Sequence, residues 1–420
     1  MKIALVHDYL KEFGGAERVL MVLHEMFPEA PIYTAFCVKG STAEKMFGGS
    51  GGCGESGGCG APPRGLCPAG RTEIRESVFA PVLKTGSLYS PLRFLTPLIW
   101  KSLDLRQYDL IISSASWYIT RGFRVSPKTK VICYCHTPPR YLYGYPTSVE
   151  WQRYWPVRVY ATIVNHFLRL YDYQSAQEVD YFIANCQNVA GRIKKFYRRD
   201  STIIYPPVEV EKIIKATKNI KPENWYLIAS RIVGSKGIEM AAEAAKRAKV
   251  RIKITGEPAG LRFFGGKLEG LKNRYVEFLG RVSDKELYEL YGRCKAFLAL
   301  ATDEDFGMTP VEAMAAGRPV IAFAGGGYLE TVVGPVVTSS ENPHEQNLSK
   351  EEWEKKWKNK ATGIFFSEPT AEGLVGALNH FNNIYHDSGF SAEVCRKRAR
   401  EFSKERFIKE IKEFTERAVS

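Results

Sequence analysis

Short apolar runs recur along the chain, each closed by glycine, proline or a polar cluster, and each followed by a longer stretch whose apolar positions return every three to four residues. In the first half the runs fall at residues 2–6, 108–114, 131–135 and 181–185; in the second they fall at 225–230, 251–256, 276–283, 296–300, 320–323 and 363–366. Runs of this length with β-branched and aromatic residues read as buried strands. Between them, Val19, Leu20, Val22, Leu23, Met26 and Phe27 give one apolar helical face that Pro28 ends, and further helices are predicted over 151–180, 189–197, 237–248 and 402–418. Strand and helix in alternation predict an α/β protein with parallel sheets. The pattern runs out through Tyr205-Pro206-Pro207 and restarts at Trp225. Two domains are therefore expected, 1–205 and 206–400, with 401–420 as a final helix.

Two stretches break the pattern. Residues 48–70 are rich in glycine and carry Cys53, Cys59 and Cys67 without a nearby histidine. This reads as a disordered insertion in a loop; a three-cysteine metal site is the alternative, with a spacing that paired zinc ligands do not use. Residues 343–360 read as a charged helical insertion carrying Trp353 and Trp357. A third stretch, 79–100, mixes Leu83, Leu88, Leu92, Phe94, Leu95 and Leu98 with Lys84 and Arg93, and Pro81, Pro91 and Pro97 break it too often for a membrane span. It is either ordinary packing against the first sheet or a surface that lies on a membrane or receives a lipid.

Composition changes the picture in one respect. The 420 residues carry a net charge of +13, which suits nucleic acid, an anionic lipid surface or a phosphorylated substrate. No nucleic-acid-binding motif accompanies it, so a nucleotide diphosphate and an anionic membrane are the expected partners, with a generally basic surface tuned for solubility as the alternative. The first eight residues turn polar too soon for a signal peptide, and a cytoplasmic location is expected. Cys133, Cys135, Cys186 and Cys294 sit in apolar runs and read as buried thiols in a reducing compartment.

The chemistry concentrates between residues 296 and 323. Glu304 follows a strand and Glu312 comes eight positions later, with Phe306-Gly307-Met308 between them. Thr309 reads as a helix N-cap, Pro310 as the first helical residue, Glu312 as the partner in a capping box, and Gly317 as the residue that closes the helix. Glu304 is then either a solvated loop acid or a ligand group where open α/β sheets bind their ligands. Gly14-Gly15 opens a helix after the first strand, where backbone N–H groups can approach an anion. His136 and Arg140 follow the run 131–135. Arg231 and Lys236 flank a glycine turn at a helix start, an arrangement suited to a diphosphate.

The string from Glu304 to Glu312 closely resembles the Glu-x7-Glu signature of the family 4 glycosyltransferases. The resemblance extends over nearly the whole chain except residues 48–70 and the stretch from Pro343. It implies the GT-B fold: two Rossmann-like domains facing each other across a cleft, with the last helix crossing back to the first. It also implies retention of anomeric configuration. By the same resemblance, Glu304 contacts the donor sugar and Glu312 holds the ribose. Phe306, Gly307 and Met308 offer backbone N–H groups to sugar hydroxyls, and the loop at Gly14 and Gly15 faces the donor phosphates. Arg231 and Lys236 take the diphosphate, and backbone at Arg281 and Val282 receives the base. His136 lies near the sugar, with Glu304, His136, Arg231 and Lys236 as the catalytic set, and Arg140 is a candidate contact to an anionic acceptor group. The likeness is nearest to mannosyltransferases of cell-surface polysaccharide assembly. That implies GDP-mannose as donor, a saccharide or lipid-linked acceptor, and no metal or other cofactor; peripheral contact with an anionic membrane is expected from the net charge and the stretch 79–100. Two other readings stay open: a metal-dependent GT-A transferase, for which Asp303-Glu304-Asp305 spells a divalent-cation pattern, and a nucleotide-sugar sensor without turnover.

Overall fold

The computed structural model describes residues 1–47, 72–85, 88–145, 147, 154–258, 268–337, 350–387 and 389–419. The chain divides into two compact units, one drawn from Met1–Tyr145, Trp151–Pro207 and Glu405–Ser420, the other from Pro146–Glu150 and Val208–Lys404.

The first unit is built on β1 (Ile3–His7), β2 (Ile32–Thr34), β3 (Ile74–Glu76), β4 (Leu110–Ala115), β5 (Lys130–Cys135), β6 (Tyr181–Ala184) and β7 (Thr202–Ile203), in the order β3-β2-β1-β4-β5-β6-β7. The second is built on β8 (Tyr226–Ala229), β9 (Ile252–Thr255), β10 (Val276–Gly280), β11 (Ala296–Ala299), β12 (Val320–Phe323), β13 (Val336–Val337) and β14 (Gly363–Phe366), in the order β10-β9-β8-β11-β12-β14-β13. Every pairing between these strands is parallel. Each sheet is doubly wound, and in each the strand order reverses beside the first strand, between β1 and β4 and between β8 and β11. The carboxyl ends at such a reversal diverge and leave a crevice for ligands.

Each unit has its own core. Leu5, Ile112, Ile132 and Ile183 of the first sheet pack with Val19 and Leu23 of the helix Gly15–Met26. Phe407 and Ile411 of the last helix, Lys404–Val419, complete that core. In the second unit Ile228, Ile254, Leu298 and Ile364 pack with Ala241 and Ala245 of the helix Ile238–Ala248 and with Phe381. Among the described residues no helix is long and apolar enough to cross a membrane.

Several expectations change. Strands β2, β3 and β13 are two or three residues long, too short for a periodic pattern to register. Within 343–360, the helix Lys350–Lys356 is not a surface addition, because Trp353 is fully buried in the second core. The stretch 79–100 divides: Leu83, Ile99 and Trp100 are buried, whereas Val82, Leu88, Phe94 and Leu98 are exposed. The insertion at 48–70, with Cys53, Cys59 and Cys67, lies outside the described residues. Cys133, Cys135, Cys186 and Cys294 are buried free thiols.

Candidate functional site

At the reversal in the second sheet, β8 delivers Ser230 and Arg231 and β11 delivers the loop that carries Glu304. Lys236 arrives from the short turn Gly234–Lys236 ahead of the helix Ile238–Ala248. Its Nζ stands 2.5 Å from Glu304 Oε2, and the Tyr328 hydroxyl donates to the same oxygen at 3.3 Å. Ser230, Lys236, Leu300, Glu304, Thr309 and Tyr328 line a small cavity. Burial, and then the carboxylate of Glu304, push the Tyr328 hydroxyl well above its ordinary pKa, so it acts here as a donor.

The helix that carries Glu312 does not start as expected. It spans Met308–Ala315 with Gly307 as N-cap at φ +86°, and no side chain caps it. Thr309 lines the cavity instead, and no capping box forms. Glu312 is buried and accepts from the Tyr291 hydroxyl at 2.7 Å. The end of the helix is as expected. Gly317 takes φ +77°, its N–H reaches Met314 O at 2.9 Å, and the Arg318 N–H reaches Ala313 O at 2.9 Å, the paired bonds of a Schellman closure.

A second glycine loop holds this segment. The Gly327 N–H donates to Glu304 O at 2.9 Å, and a Cβ on Gly327 would lie 2.4 Å from Asp305 O. A Cβ on Gly307 would lie 2.8 Å from the Tyr328 ring. Both positions exclude any larger residue, and together they fix the course of the backbone past Glu304. Phe306 is buried against Phe402, ring centroids 5.4 Å apart, so it anchors the loop and leaves only its backbone for a ligand; Met308 is half-buried. Arg231 is exposed one residue beyond the cavity wall. Arg281 and Val282 leave β10 on the same edge, with Arg281 exposed and 3.8 Å from Glu257 beyond β9. The second unit therefore gathers Arg231, Lys236, Arg281, Val282, Glu304, Phe306, Gly307, Met308 and Glu312 along one carboxyl edge.

The first unit carries the others. Gly14 caps the helix Gly15–Met26, and its N–H donates to Glu17 Oε2 at 2.8 Å. Glu17 Oε1 faces His7 Nε2 at 3.4 Å, His7 Nδ1 lies 3.0 Å from Ser114 Oγ, and Ser114 Oγ lies 2.8 Å from His136 Nε2. This chain joins the ends of β1, β4 and β5. Burial works against charge on Glu17, but the bonds from His7 and from the Gly14 N–H outweigh it and hold its carboxyl below the usual range. An ionised Glu17 only accepts. His7 as the Nε2–H tautomer then accepts at Nδ1 from the Ser114 hydroxyl, and Ser114 accepts from His136 Nε2–H. His136 is left with Nδ1 as an acceptor. Burial, and then His7 beside it, hold the His136 imidazole down to about 4, so it is uncharged at neutral pH.

Asp8 organises the same edge. Its Oδ2 accepts from the N–H groups of Ser116 (3.1 Å), Trp117 (2.6 Å) and Tyr118 (3.2 Å) and from Ser116 Oγ (2.7 Å), while Oδ1 accepts from Thr120 Oγ1. Arg140 is half-buried at the start of the turn Arg140–Leu142. His7, Asp8, Glu17, Ser114, Tyr291 and Tyr328 are given no role by the sequence and enter as partners only through the structure. The Gly14-x-x-Glu17 spacing was a usable signal; Tyr291 and Tyr328 meet the glutamates only through the fold.

Comparison with known families bears on both units. A family model described as glycosyltransferase family 4 matches residues 13–212, and one described as glycosyl transferases group 1 matches residues 209–401. The chain belongs to the family 4 glycosyltransferases. Among relatives of this transferase, the alpha-1,3/1,6-mannosyltransferase ALG2 of Candida glabrata is 25% identical over 396 residues, 79% of this chain and 78% of that one. ALG2 of Dictyostelium discoideum is 23% identical over 272 residues, 54% of this chain and 62% of that one. The lipopolysaccharide core mannosyltransferase LpcC of Rhizobium leguminosarum is 30% identical over 161 residues, 34% of this chain and 44% of that one. Among solved structures, Anabaena HepE in complex with UDP and glucose superposes with a TM-score of 0.62 at 17% identity, covering 99% of both chains. The fold of this family 4 transferase is GT-B, with a Rossmann-like sheet in each half; the GT-A reading of Asp303-Glu304-Asp305 falls with that fold.

Proposed function

We propose that the protein is a retaining glycosyltransferase that moves a hexose, mannose in this reading, from a nucleoside-diphosphate sugar to a saccharide or lipid-linked acceptor of the cell envelope. The observation that carries the reading is the Lys236–Glu304 pair at the β8/β11 reversal, with Glu312 buried within the short helix Met308–Ala315 that follows. A cation, a glycine turn and a helix N-terminus there suit a diphosphate, and two carboxylates suit sugar and ribose hydroxyls. Mannosyltransferases among the relatives favour mannose and hence GDP; the UDP held by HepE makes UDP the competing base.

Departure of the diphosphate concentrates negative charge on its oxygens. Lys236, Arg231 and the N–H groups opening the helix Ile238–Ala248 stabilise that charge from fixed positions, the preorganised electrostatics that lower such barriers. Glu304 accepts from hydroxyls of the transferred sugar, Glu312 from the ribose, and backbone at Arg281 and Val282 lines the base. His136 accepts a sugar hydroxyl at Nδ1. At the Gly14-Gly15 turn the Gly14 N–H is already taken by Glu17, so only the N–H of Gly15 is offered to a phosphate in this reading, and Arg140 meets an anionic group on the acceptor. No side chain is assigned as nucleophile: the acceptor hydroxyl attacks the face the diphosphate leaves, and a phosphate oxygen takes its proton. The reaction needs no metal, and it takes place at the cytoplasmic face of an anionic membrane that the protein touches peripherally.

Thermal shift with GDP-, UDP- and ADP-sugars tests the donor, because a ligand that binds the folded state raises the midpoint by mass action. Proton NMR of the anomeric signal of the first-formed product tests retention, and activity in EDTA tests the metal. A raised midpoint with GDP-mannose and an α-linked product support the reading; an inverted anomer overturns retention, and binding without turnover on any acceptor would leave a sensor.

A further inference from the structure

The helix Trp155–Gln177 has the wrong face in water. Its inward positions, Ala161, Leu168, Asp172, Ser175 and Ala176, are buried in the first unit. Its outward positions carry a run of large apolar side chains, with Thr162, His166, Gln174 and Gln177 exposed beside them. Trp155 is 69% exposed, Ile163 56% and Phe167 65%, and Val159, Leu170 and Tyr173 stand out with them. Spacings of four, four, four and three from Trp155 through Leu170 keep these side chains on one stripe of the helix. At 1.5 Å per residue the helix is about 35 Å long. A contiguous apolar face on that scale marks a surface that meets something other than water.

The charges say what it meets. Between 154 and 177 the one carboxylate is Asp172. It is fully buried, paired with Arg121 and accepting from the Tyr143 hydroxyl at 2.6 Å, so it contributes nothing to the outer face. The exposed charged residues of the helix are Arg158 and Arg169, both on the same flank of the apolar stripe. The face continues into the stretch singled out in the sequence: the Tyr160 hydroxyl donates to Pro91 O, and Arg93 stacks on the Tyr160 ring at 5.2 Å. Exposed Phe94 and Leu98 belong to that segment, with exposed Lys101 beyond them. An apolar stripe bordered by cations, whose nearest exposed acid is the C-cap Glu178 beyond its end, matches the boundary between anionic headgroups and acyl chains. A protein partner would need only the apolar half of this pattern.

We propose that the outward face of the helix Trp155–Gln177 lies in an anionic membrane surface, with Trp155, Val159, Ile163, Phe167 and Leu170 in the acyl boundary and Arg158 and Arg169 at the headgroups. The inference gives a location to the membrane contact in the reading above and rests on that part of it alone. The helix contains none of the proposed donor-site residues, and the test uses no donor, so failure of either leaves the other standing.

The test is flotation of the full chain with vesicles of phosphatidylcholine alone and of phosphatidylcholine with about 30% phosphatidylglycerol, at low and high salt. The expected result is binding to the anionic vesicles, weakened several-fold by about 0.5 M salt because exposed charges are screened, and little binding to the neutral ones. Ile163→Glu with Phe167→Glu should lower the anionic partition at least tenfold while leaving the melting temperature unchanged, since both side chains are exposed. Arg158→Gln with Arg169→Gln should lose the salt-sensitive part only. Absence of the wild type from both vesicle types overturns the proposal, as does equal binding by the Glu variant. A concentration-dependent dimer in sedimentation, lost in the Glu variant and without vesicle binding, would assign the face to a second copy and likewise overturn it.

Discussion

Glu304 and Glu312 hold different partners, and this separates what each can do. Glu304 shares its charge with Lys236 at 2.5 Å, the cation assigned to the diphosphate. Glu304→Gln should therefore cut turnover sharply while leaving nucleoside-diphosphate affinity intact or raised, because Lys236 loses a competing anion. Glu312 is buried on Tyr291, and a Gln there can still accept from that hydroxyl. Its loss should fall on the ribose: one hydrogen bond to a charged group is worth about 1.5–3 kcal/mol, roughly ten- to a hundred-fold in affinity. Arg231→Ala should weaken both binding and rate, since the diphosphate is present in donor and product. Calorimetric titration beside initial rates checks all three. Equal loss of diphosphate affinity in the two Gln variants would refute the division into sugar and ribose. His136 supplies a pH test. Its folded value of about 4 lies below the ordinary 6.5, so the unfolded chain takes the proton first as pH falls. The contribution to stability is complete above pH 6.5 and is lost progressively toward pH 4. Burial shifts His24 and His380 the same way, so the diagnostic is the difference between wild type and His136→Asn. The urea midpoint of the variant should fall less steeply between pH 6.5 and 4. Glu17→Gln should also alter the tautomer of His136, read from its ring nitrogen shifts, because the acceptor that orients the His7–Ser114 chain becomes able to donate.

At the scale of elements, the long strands were legible because they are buried on both faces and read as unbroken apolar runs. Residues 320–323 and 363–366 are β12 and β14 residue for residue. The two- and three-residue strands were not, since two residues have no period. The helix after Glu304 shows the limit of a local rule. Thr309-Pro310-x-Glu312 is a sound capping pattern, yet Gly307 takes φ +86° and starts the helix early. Tertiary contacts from Tyr328 and Gly327 decide the loop, and neither lies within reach of a local motif. The candidate site was legible by the resemblance of its string and by strand ends carrying polar residues; the partners Tyr291, Tyr328, Ser114 and Glu17 depend on the winding of each sheet. Gly327→Ala tests the loop. The added Cβ would meet Asp305 O at 2.4 Å, and any relief moves Glu304. The expected outcome is a loss of transfer well beyond the loss of melting temperature, because the clash falls on the backbone of Asp305 and Phe306 and removes no side chain from the second core. Unchanged rates with Ala at this position would show that the backbone past Glu304 has room to shift.

At the scale of the molecule, the chain leaves the first unit after Pro207 and returns to it at Glu405. The bridge between Val208 and Ser403 sets the two passages side by side, with Val208 N–H to Phe402 O at 3.1 Å and Lys404 N–H to Val208 O at 3.1 Å. The last helix thus starts in one unit and packs its apolar side into the other, where Phe407 is fully buried among Leu110, Ile132 and Tyr134. Removing a buried phenyl ring leaves a cavity and typically costs about 3–5 kcal/mol. Phe407→Ala should therefore loosen the first unit, although in sequence it lies beyond the whole of the second. The proposed diphosphate site belongs to the second unit, which has a separate core. Scanning calorimetry with and without nucleoside diphosphate distinguishes the consequences. If the cores melt independently, Phe407→Ala lowers one transition and the nucleotide raises the other, while titration at 25 °C gives wild-type affinity. If one transition moves under both perturbations, the paired passages at Val208 and Ser403 couple the units into a single cooperative body, and the independence inferred from two separate cores is wrong.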